Sequence, residues 1–208
     1  MSYLKTLNLT TNQKVYVDLL RDHKKPVVVC TGSARTGKTY LACMEGLKAL
    51  DDSKISKLII TRPAQGVDEQ YGFLPGDINK KFDPWIQPIV DSVGRREFIR
   101  LRDRNMIEIS PLAFMRGRTF HDSWIIADEM QNSTKRQMQM ILTRLGFESK
   151  MVITGDPNQV DINISGLDEL LTLTKLRNPE YIGSIEMETI DIKRHPAVKE
   201  ILEMYLKE

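Results

Sequence analysis

"PVVVCTGSARTGKTYLACMEGLKAL", residues 26–50, sets an apolar β-branched run directly before a turn rich in small residues, and that turn directly before a segment of helical periodicity. Within it "GSARTGKT" (32–39) fits G-x-x-x-x-G-K-[ST] between a strand and a helix, the context that a phosphate-binding loop requires. Glycine at 32 and 37 lets the backbone curl into a concave nest of N–H groups, and the helix that follows presents its positive end to the same anion. Gly32, Ser33, Ala34, Arg35, Thr36, Gly37, Lys38 and Thr39 are therefore the expected phosphate cradle, with Lys38 as a point charge for the β and γ phosphates and Thr39 as a hydroxyl for Mg2+.

The same alternation runs outward along the chain. Apolar runs at 26–31, 57–61, 106–110, 123–128, 150–154 and 185–190 read as strands, and helical periodicity recurs at 11–22, 38–50, parts of 76–100, 134–145, 166–176 and 196–206. "TKRQ" (134–137) and "SGLD" (165–168) have the form of capping boxes that start helices. Near-continuous apolar strands separated by amphipathic helices imply an α/β fold, a mostly parallel sheet covered on both faces. Residues 62–84 carry too much proline and glycine for a long helix and read as a functional loop.

Composition bounds the rest. With 208 residues, 41% of them hydrophobic, the chain can bury one sizeable core, and a single domain over 1–208 is expected. A formal charge of +2 is too small to identify a nucleic-acid partner by itself, although basic residues can still cluster. Cys30 and Cys43 have neither disulfide nor metal-ligand spacing, and Cys30 reads as an apolar filler at a strand end. No signal peptide opens the sequence and no apolar run approaches membrane-spanning length, so a cytoplasmic location and no membrane partner are expected.

Two further strand ends carry chemistry. "WIIADEMQN" (124–132) ends an apolar strand in Asp128, suited to hold Mg2+ opposite Thr39, and the adjacent Glu129 stands where a general base can polarise a water. An acid in that place favours hydrolysis over phosphoryl transfer to a substrate, which would require shielding from water. "TGDPNQVD" (154–161) ends another strand, and because ligands in open parallel sheets collect beyond the carboxyl ends of strands, Gln159 could reach a γ-phosphate and the attacking water, the alternative being a Gly-Asp-Pro-Asn turn whose glutamine faces solvent.

The chain resembles the PhoH family of P-loop ATPases, whose core is similar to the first motor domain of superfamily-one helicases. The resemblance is carried by "TGSARTGKT", "TRPAQG", "YGFLPGDINKKFDPWIQPIVD", "PLAFMRGRTF", "IIADEMQNST", "ILTRLG", "TGDPNQVD", "SGLDEL" and "DIKRHPAV", and runs from about Thr11 to Tyr205. It implies a three-layer P-loop NTPase fold of the RecA and helicase type, ATP and Mg2+ as ligands, ATP hydrolysis, and RNA or single-stranded DNA as partner. It also suggests that Gln13 reads the edge of adenine. A polar residue early in helix 11–22 is the alternative reading for Gln13. Arg62 matches the place where helicase-like motors grip a strand's phosphates, and Arg116 and Arg118 could extend that surface, the alternative for these arginines being internal acids that hold them, with Phe114 and Phe120 either stacking bases or lying in the core.

A helicase of this type completes its ATP site with an arginine from a second motor domain, which this sequence does not contain. A single-domain relative must then hydrolyse slowly, use an arginine of its own or borrow one from a neighbour, and the resemblance suggests the last, a homo-oligomer such as a hexameric ring in which Arg194 of "DIKRHPAV" or Arg144 of "LTRLG" reaches a neighbour's site. An ordinary salt bridge is the other reading for each. A nucleotide-dependent binding or assembly module with little hydrolysis is the alternative function. His121 and His195 have no metal-ligand partners at useful spacing and read as structural, and the methionines of "MQMIL" (138–142) read as core.

Overall fold

The structure, a computed structural model, describes residues 8–63, 87, 89–91, 93–192 and 204. The strands are β1 (Val27–Gly32), β2 (Lys57–Thr61), β3 (Ile107–Ile109), β4 (Ser123–Ala127), β5 (Lys150–Gly155) and β6 (Ile182–Met187). The helices are α1 (Thr11–Arg21), α2 (Lys38–Asp51), α3 (Arg95–Asp103), α4 (Lys135–Leu142) and α5 (Gly166–Arg177), with short 3-10 turns at Leu112–Met115, Met130–Asn132 and Thr189–Asp191.

All six strands pair in parallel, in the order β3-β2-β4-β5-β1-β6. The period of two sorts the strand residues into two cores. Val28, Cys30, Leu58, Ile60, Trp124, Ile126 and Val152 face α1, α2 and α3. Val27, Val29, Ile59, Ile125, Ala127, Met151 and Ile153 face α4, α5 and the turn at Leu112–Met115. Strands buried on both faces explain why the apolar runs show no polar alternation, and the result is the three-layer α/β architecture expected.

Sheet order creates the crevice. β1 and β5 are neighbours, yet the helix after β1 lies on one face and the helix after β5 on the other. Their carboxyl ends therefore diverge and leave an open space between two loops, the place where ligands bind in folds of this kind.

Sequence expectations and structure differ in detail. The last strand lies three residues earlier than expected, at Ile182–Met187, because its pairing with β1 begins at Val27↔Ile182 and the chain turns into the Thr189–Asp191 helix after Glu188. The Thr134 capping box forms as predicted with Gln137. At "SGLD", Ser165 does cap α5, but it accepts from Leu167 N–H and Asp168 makes no reciprocal bond. A capping box not anticipated joins Thr10 to Gln13 at the start of α1. Most of the expected loop at 62–84, the expected helix at 196–206 apart from Met204, Arg194 and His195 lie outside the described residues. Met138 and Ile141 are core, and both cysteines are free and buried.

Candidate functional site

The phosphate loop is shaped by two glycines with separate constraints. Gly32 has φ +125°, and a Cβ there would stand 2.1 Å from the Met187 carbonyl oxygen, so the end of β6 closes off every larger residue. Gly37 has φ +91° at the N-cap of α2, a left-handed conformation that glycine adopts without steric cost. Between them the loop turns back on itself, and Thr36 Oγ1 donates to the Ser33 carbonyl at 2.9 Å. Lys38 Nζ donates to the carbonyls of Gly32 at 2.6 Å and Ser33 at 2.8 Å, so its ammonium lies across the mouth of the loop.

Gln13 anchors this loop from below. It is only 4% exposed, and its amide makes three hydrogen bonds: Nε2 donates to the carbonyls of Thr36 and Asp191, both at 3.0 Å, and Oε1 accepts from Thr10 N–H at 3.1 Å. Both donor hydrogens are thus committed to backbone, and presenting the amide to adenine requires exchanging those partners. Asp191 is buried beside it, accepting from the Thr10 hydroxyl, from Asn12 Nδ2 at 2.9 Å and from Glu188 N–H at 2.8 Å. Burial pushes the Asp191 carboxyl up, and these hydrogen bonds outweigh it and hold its pKa below the usual carboxylate value.

At the end of β4, Asp128 is 2% exposed and fully hydrogen-bonded. Its Oδ1 accepts from the Thr39 hydroxyl at 2.8 Å and the Thr154 hydroxyl at 2.5 Å, while Oδ2 accepts from Arg62 Nε at 3.0 Å and from its terminal nitrogen at 2.5 Å. The expected metal pair, Thr39 and Asp128, is therefore brought into direct contact. A carboxylate and a hydroxyl are hard oxygen donors, and two such ligands completed by substrate phosphates and water are what Mg2+ takes. The residues fit that ion.

Glu129 follows with φ +55° and ψ +36°, a left-handed conformation that is uncommon for a residue with a side chain. Gln131, buried at 1%, holds it: Nε2 donates to Glu129 Oε2 at 2.7 Å while Oε1 accepts from Asp156 N–H at 3.1 Å. Asp156 in turn joins β5 to the phosphate loop. Its Oδ2 accepts from Ala34 N–H at 3.2 Å and from Gln159 Nε2 at 2.7 Å. Lys38, Thr39, Asp128, Glu129, Asp156 and Gln159 thus line one cleft of about 210 Å3 together with Ala34, Arg35, Gly37, Tyr40 and Gly155.

Sequence reasoning missed Thr154, Gln131 and Asp156. The signals were present: a polar Thr154 and Asp156 at the end of an apolar strand beside the Asp128 strand, and a glutamine two residues beyond Glu129.

The structure pairs Arg62 and Arg118 with internal acids and leaves Arg116 exposed. Arg62, expected on a nucleic-acid surface, is turned inward onto Asp128, because the β2–β4 register pairs Thr61 with Ala127 and so sets the next residues, Arg62 and Asp128, side by side. Arg118 is likewise drawn inward: it forms a two-pronged pair with Glu108 at 2.5 and 3.0 Å, and its guanidinium lies 4.6 Å from the centre of the Phe120 ring. Arg116 is exposed and makes no ion pair among the described residues, and Phe114 beside it is 69% exposed while Phe120 is core. Arg144 donates to the carbonyls of Met140 at 3.2 Å and Arg118 at 3.1 Å, and its own carbonyl accepts from Phe120 N–H. It therefore lies at the amino edge of the sheet, opposite the cleft of its own chain. His121 accepts from Phe147 N–H through Nδ1, a structural contact.

Fold and site together define a P-loop NTPase. A family model described as PhoH-like protein matches residues 6–206, and the chain belongs to that family. It is 44% identical over 205 residues to the PhoH-like protein of Bacillus subtilis (strain 168), covering 96% of this chain and 63% of that protein. Against Protein PhoH of Escherichia coli (strain K12) it is 35% identical over 190 residues, covering 87% of this chain and 53% of the relative. The chain thus spans about half to two thirds of the length of these curated relatives. Among solved structures, the large terminase from a thermophilic bacteriophage matches with a TM-score of 0.58 at 13% identity, over 97% of this chain and 51% of that one, a likeness of fold.

Proposed function

We propose that this chain is an ATPase that binds ATP with Mg2+ in the cleft at the carboxyl ends of β1, β4 and β5, and that its cycle is coupled to RNA or single-stranded DNA. The observation that carries the reading is the convergence of Lys38, the Thr39–Asp128 pair, Glu129 and Gln159 on one cleft from three separate strand ends. A module that only binds nucleotide has no use for a carboxylate held at that point.

In this reading the loop N–H groups and the N-terminus of α2 receive the phosphates, and Lys38 exchanges its two carbonyl partners for them. Thr39 and Asp128 would hold Mg2+, which would supply neutralisation of phosphate charge. Glu129, kept in place by Gln131, accepts a proton from the attacking water, and Gln159, in the same cleft, orients that water. The proposal includes a homo-oligomer in which Arg194 or Arg144 is offered to a neighbouring subunit; Arg144 lies away from its own cleft and would have to exchange the Met140 and Arg118 carbonyls for a neighbour's phosphates. Among the described residues no helix is long and apolar enough to cross a membrane.

The test is phosphate release from ATP with and without single-stranded RNA. Lys38→Ala is expected to abolish tight ATP binding, whereas Glu129→Gln keeps binding and loses about two to four orders of magnitude in rate. Wild-type turnover by Glu129→Gln removes the base from the mechanism, and no turnover by the wild-type oligomer under any condition leaves the binding module as the function.

A further inference from the structure

The Arg62 guanidinium is fixed by the sheet. Thr61 is paired with Ala127, so Arg62 and Asp128 leave adjacent strands side by side, and the Arg62 carbonyl is tied down by Leu112 N–H at 2.9 Å. The side chain is mostly buried, 21% exposed, against a carboxylate that is 3% exposed. Asp128 has one oxygen engaged by two threonine hydroxyls and the other by two nitrogens of Arg62. A buried carboxylate needs a compensating charge, and here arginine supplies it.

A divalent cation arriving alone meets this arrangement badly. Among the described residues no three acidic, histidine or cysteine side chains are grouped to hold a metal, Glu129 being engaged by Gln131 and Asp156 by Ala34 and Gln159. The ion therefore meets Asp128 and Thr39, too few ligands to replace the shell of six that Mg2+ keeps, and it must displace or adjoin a fixed positive charge. A cation arriving with a nucleotide brings phosphate oxygens as additional ligands and negative charge that offsets Arg62. We infer that Arg62 makes metal entry conditional on nucleotide: by pairing with Asp128 it excludes the free divalent ion, and it yields to the metal–nucleotide complex. The inference rests on Asp128 and Thr39 being the metal-holding pair.

Mn2+ binding followed by electron paramagnetic resonance tests it, with Mn2+-dependent melting shift as a second readout. Wild-type protein is expected to bind Mn2+ at this site only when a non-hydrolysable ATP analogue is present. Arg62→Ala and Arg62→Gln are expected to bind Mn2+ without nucleotide at least about ten-fold more tightly than wild type, and to be stabilised by it, because a repelling charge at contact distance is gone. Arg62→Lys, which keeps the charge, is expected to remain metal-free. Adding Asp128→Asn to Arg62→Gln must abolish the gained site. Tight nucleotide-free Mn2+ binding by wild type overturns the inference, and so does an Arg62→Gln protein that gains no site or one whose site survives Asp128→Asn. If instead Asp128→Asn alone leaves binding of the Mg2+–analogue complex unchanged, the underlying assignment of the metal pair has failed.

Discussion

Replacing Gln13 by alanine separates two roles that one glutamine can play. The substitution deletes three hydrogen bonds, to Thr36 O, Asp191 O and Thr10 N–H, and leaves the Thr10 hydroxyl still capping the backbone N–H of residue 13. At about 0.5–1.5 kcal/mol for each bond the loss is about 1.5–4.5 kcal/mol. For a chain of this size that corresponds to a fall in melting temperature on the order of 5–15 °C. Because Thr36 belongs to the phosphate loop, ATP and GTP analogues should both bind more weakly, and by similar factors. Gln13→Glu sharpens the sign: it sets a carboxylate oxygen against two carbonyl oxygens, so at neutral pH it should destabilise at least as much as alanine. Urea unfolding followed by circular dichroism, together with equilibrium binding of both nucleotide analogues, measures all of this. An alanine variant with an unchanged unfolding midpoint that has lost only its preference for ATP would refute the clamp and restore the amide as a reader of adenine.

Other outcomes follow from the basic residues. Arg118 beside Glu108 holds that carboxyl below its usual pKa, so the pair contributes stability that is complete above the unfolded carboxylate value and is lost as pH falls through the lower folded value; Arg118→Ala should flatten that acid limb and cost about 1 kcal/mol at most at neutral pH, read by urea unfolding between acid and neutral pH. Arg116→Ala should lower the salt dependence of single-stranded RNA binding by about one unit of slope while leaving ATP affinity intact, with Arg118→Ala changing the slope less. Thr154→Val, which removes one of the two hydroxyls on Asp128 Oδ1, should weaken binding of the Mg2+–ATP complex by about ten-fold while leaving the fold intact, since outer partners of a metal-holding carboxylate are worth about ten- to a hundred-fold. For the oligomer, mixing Lys38→Ala with Arg194→Ala subunits should recover part of an activity that each lacks alone; mixed assemblies that stay inactive would place the completing arginine elsewhere.

Local chemistry was sufficient for much of this protein. A phosphate loop is contiguous in its chemistry: its glycines, its lysine and the first turn of the helix it opens follow one another at residues 32–39, so "GSARTGKT" was legible without a fold, although Met187, Gln13 and Asp156 from elsewhere in the chain close in on it. The same holds for Asp128 and Glu129 at the end of an apolar strand, and for the alternation of apolar runs and amphipathic helices that implied a covered parallel sheet. The sixth strand was displaced by three residues because period and propensity bear on a segment, while register is set by the strand beside it.

What the tertiary structure decided is which side chains meet across strands. Sheet order makes β2 and β5 both neighbours of β4, which brings Arg62 and Thr154 to Asp128 over separations of 66 and 26 residues. An arginine after a strand carries no mark of which acid will stand beside it, and so the sequence left Arg62 open between a nucleic-acid contact and an internal ion pair, while the structure pairs it with Asp128. Gln13 is the same case over a longer range, since its amide satisfies backbone carbonyls 23 and 178 residues away. A polar side chain must find its partner wherever burial leaves it, and that partner is chosen by long-range packing, which the periodicity of a single segment does not encode.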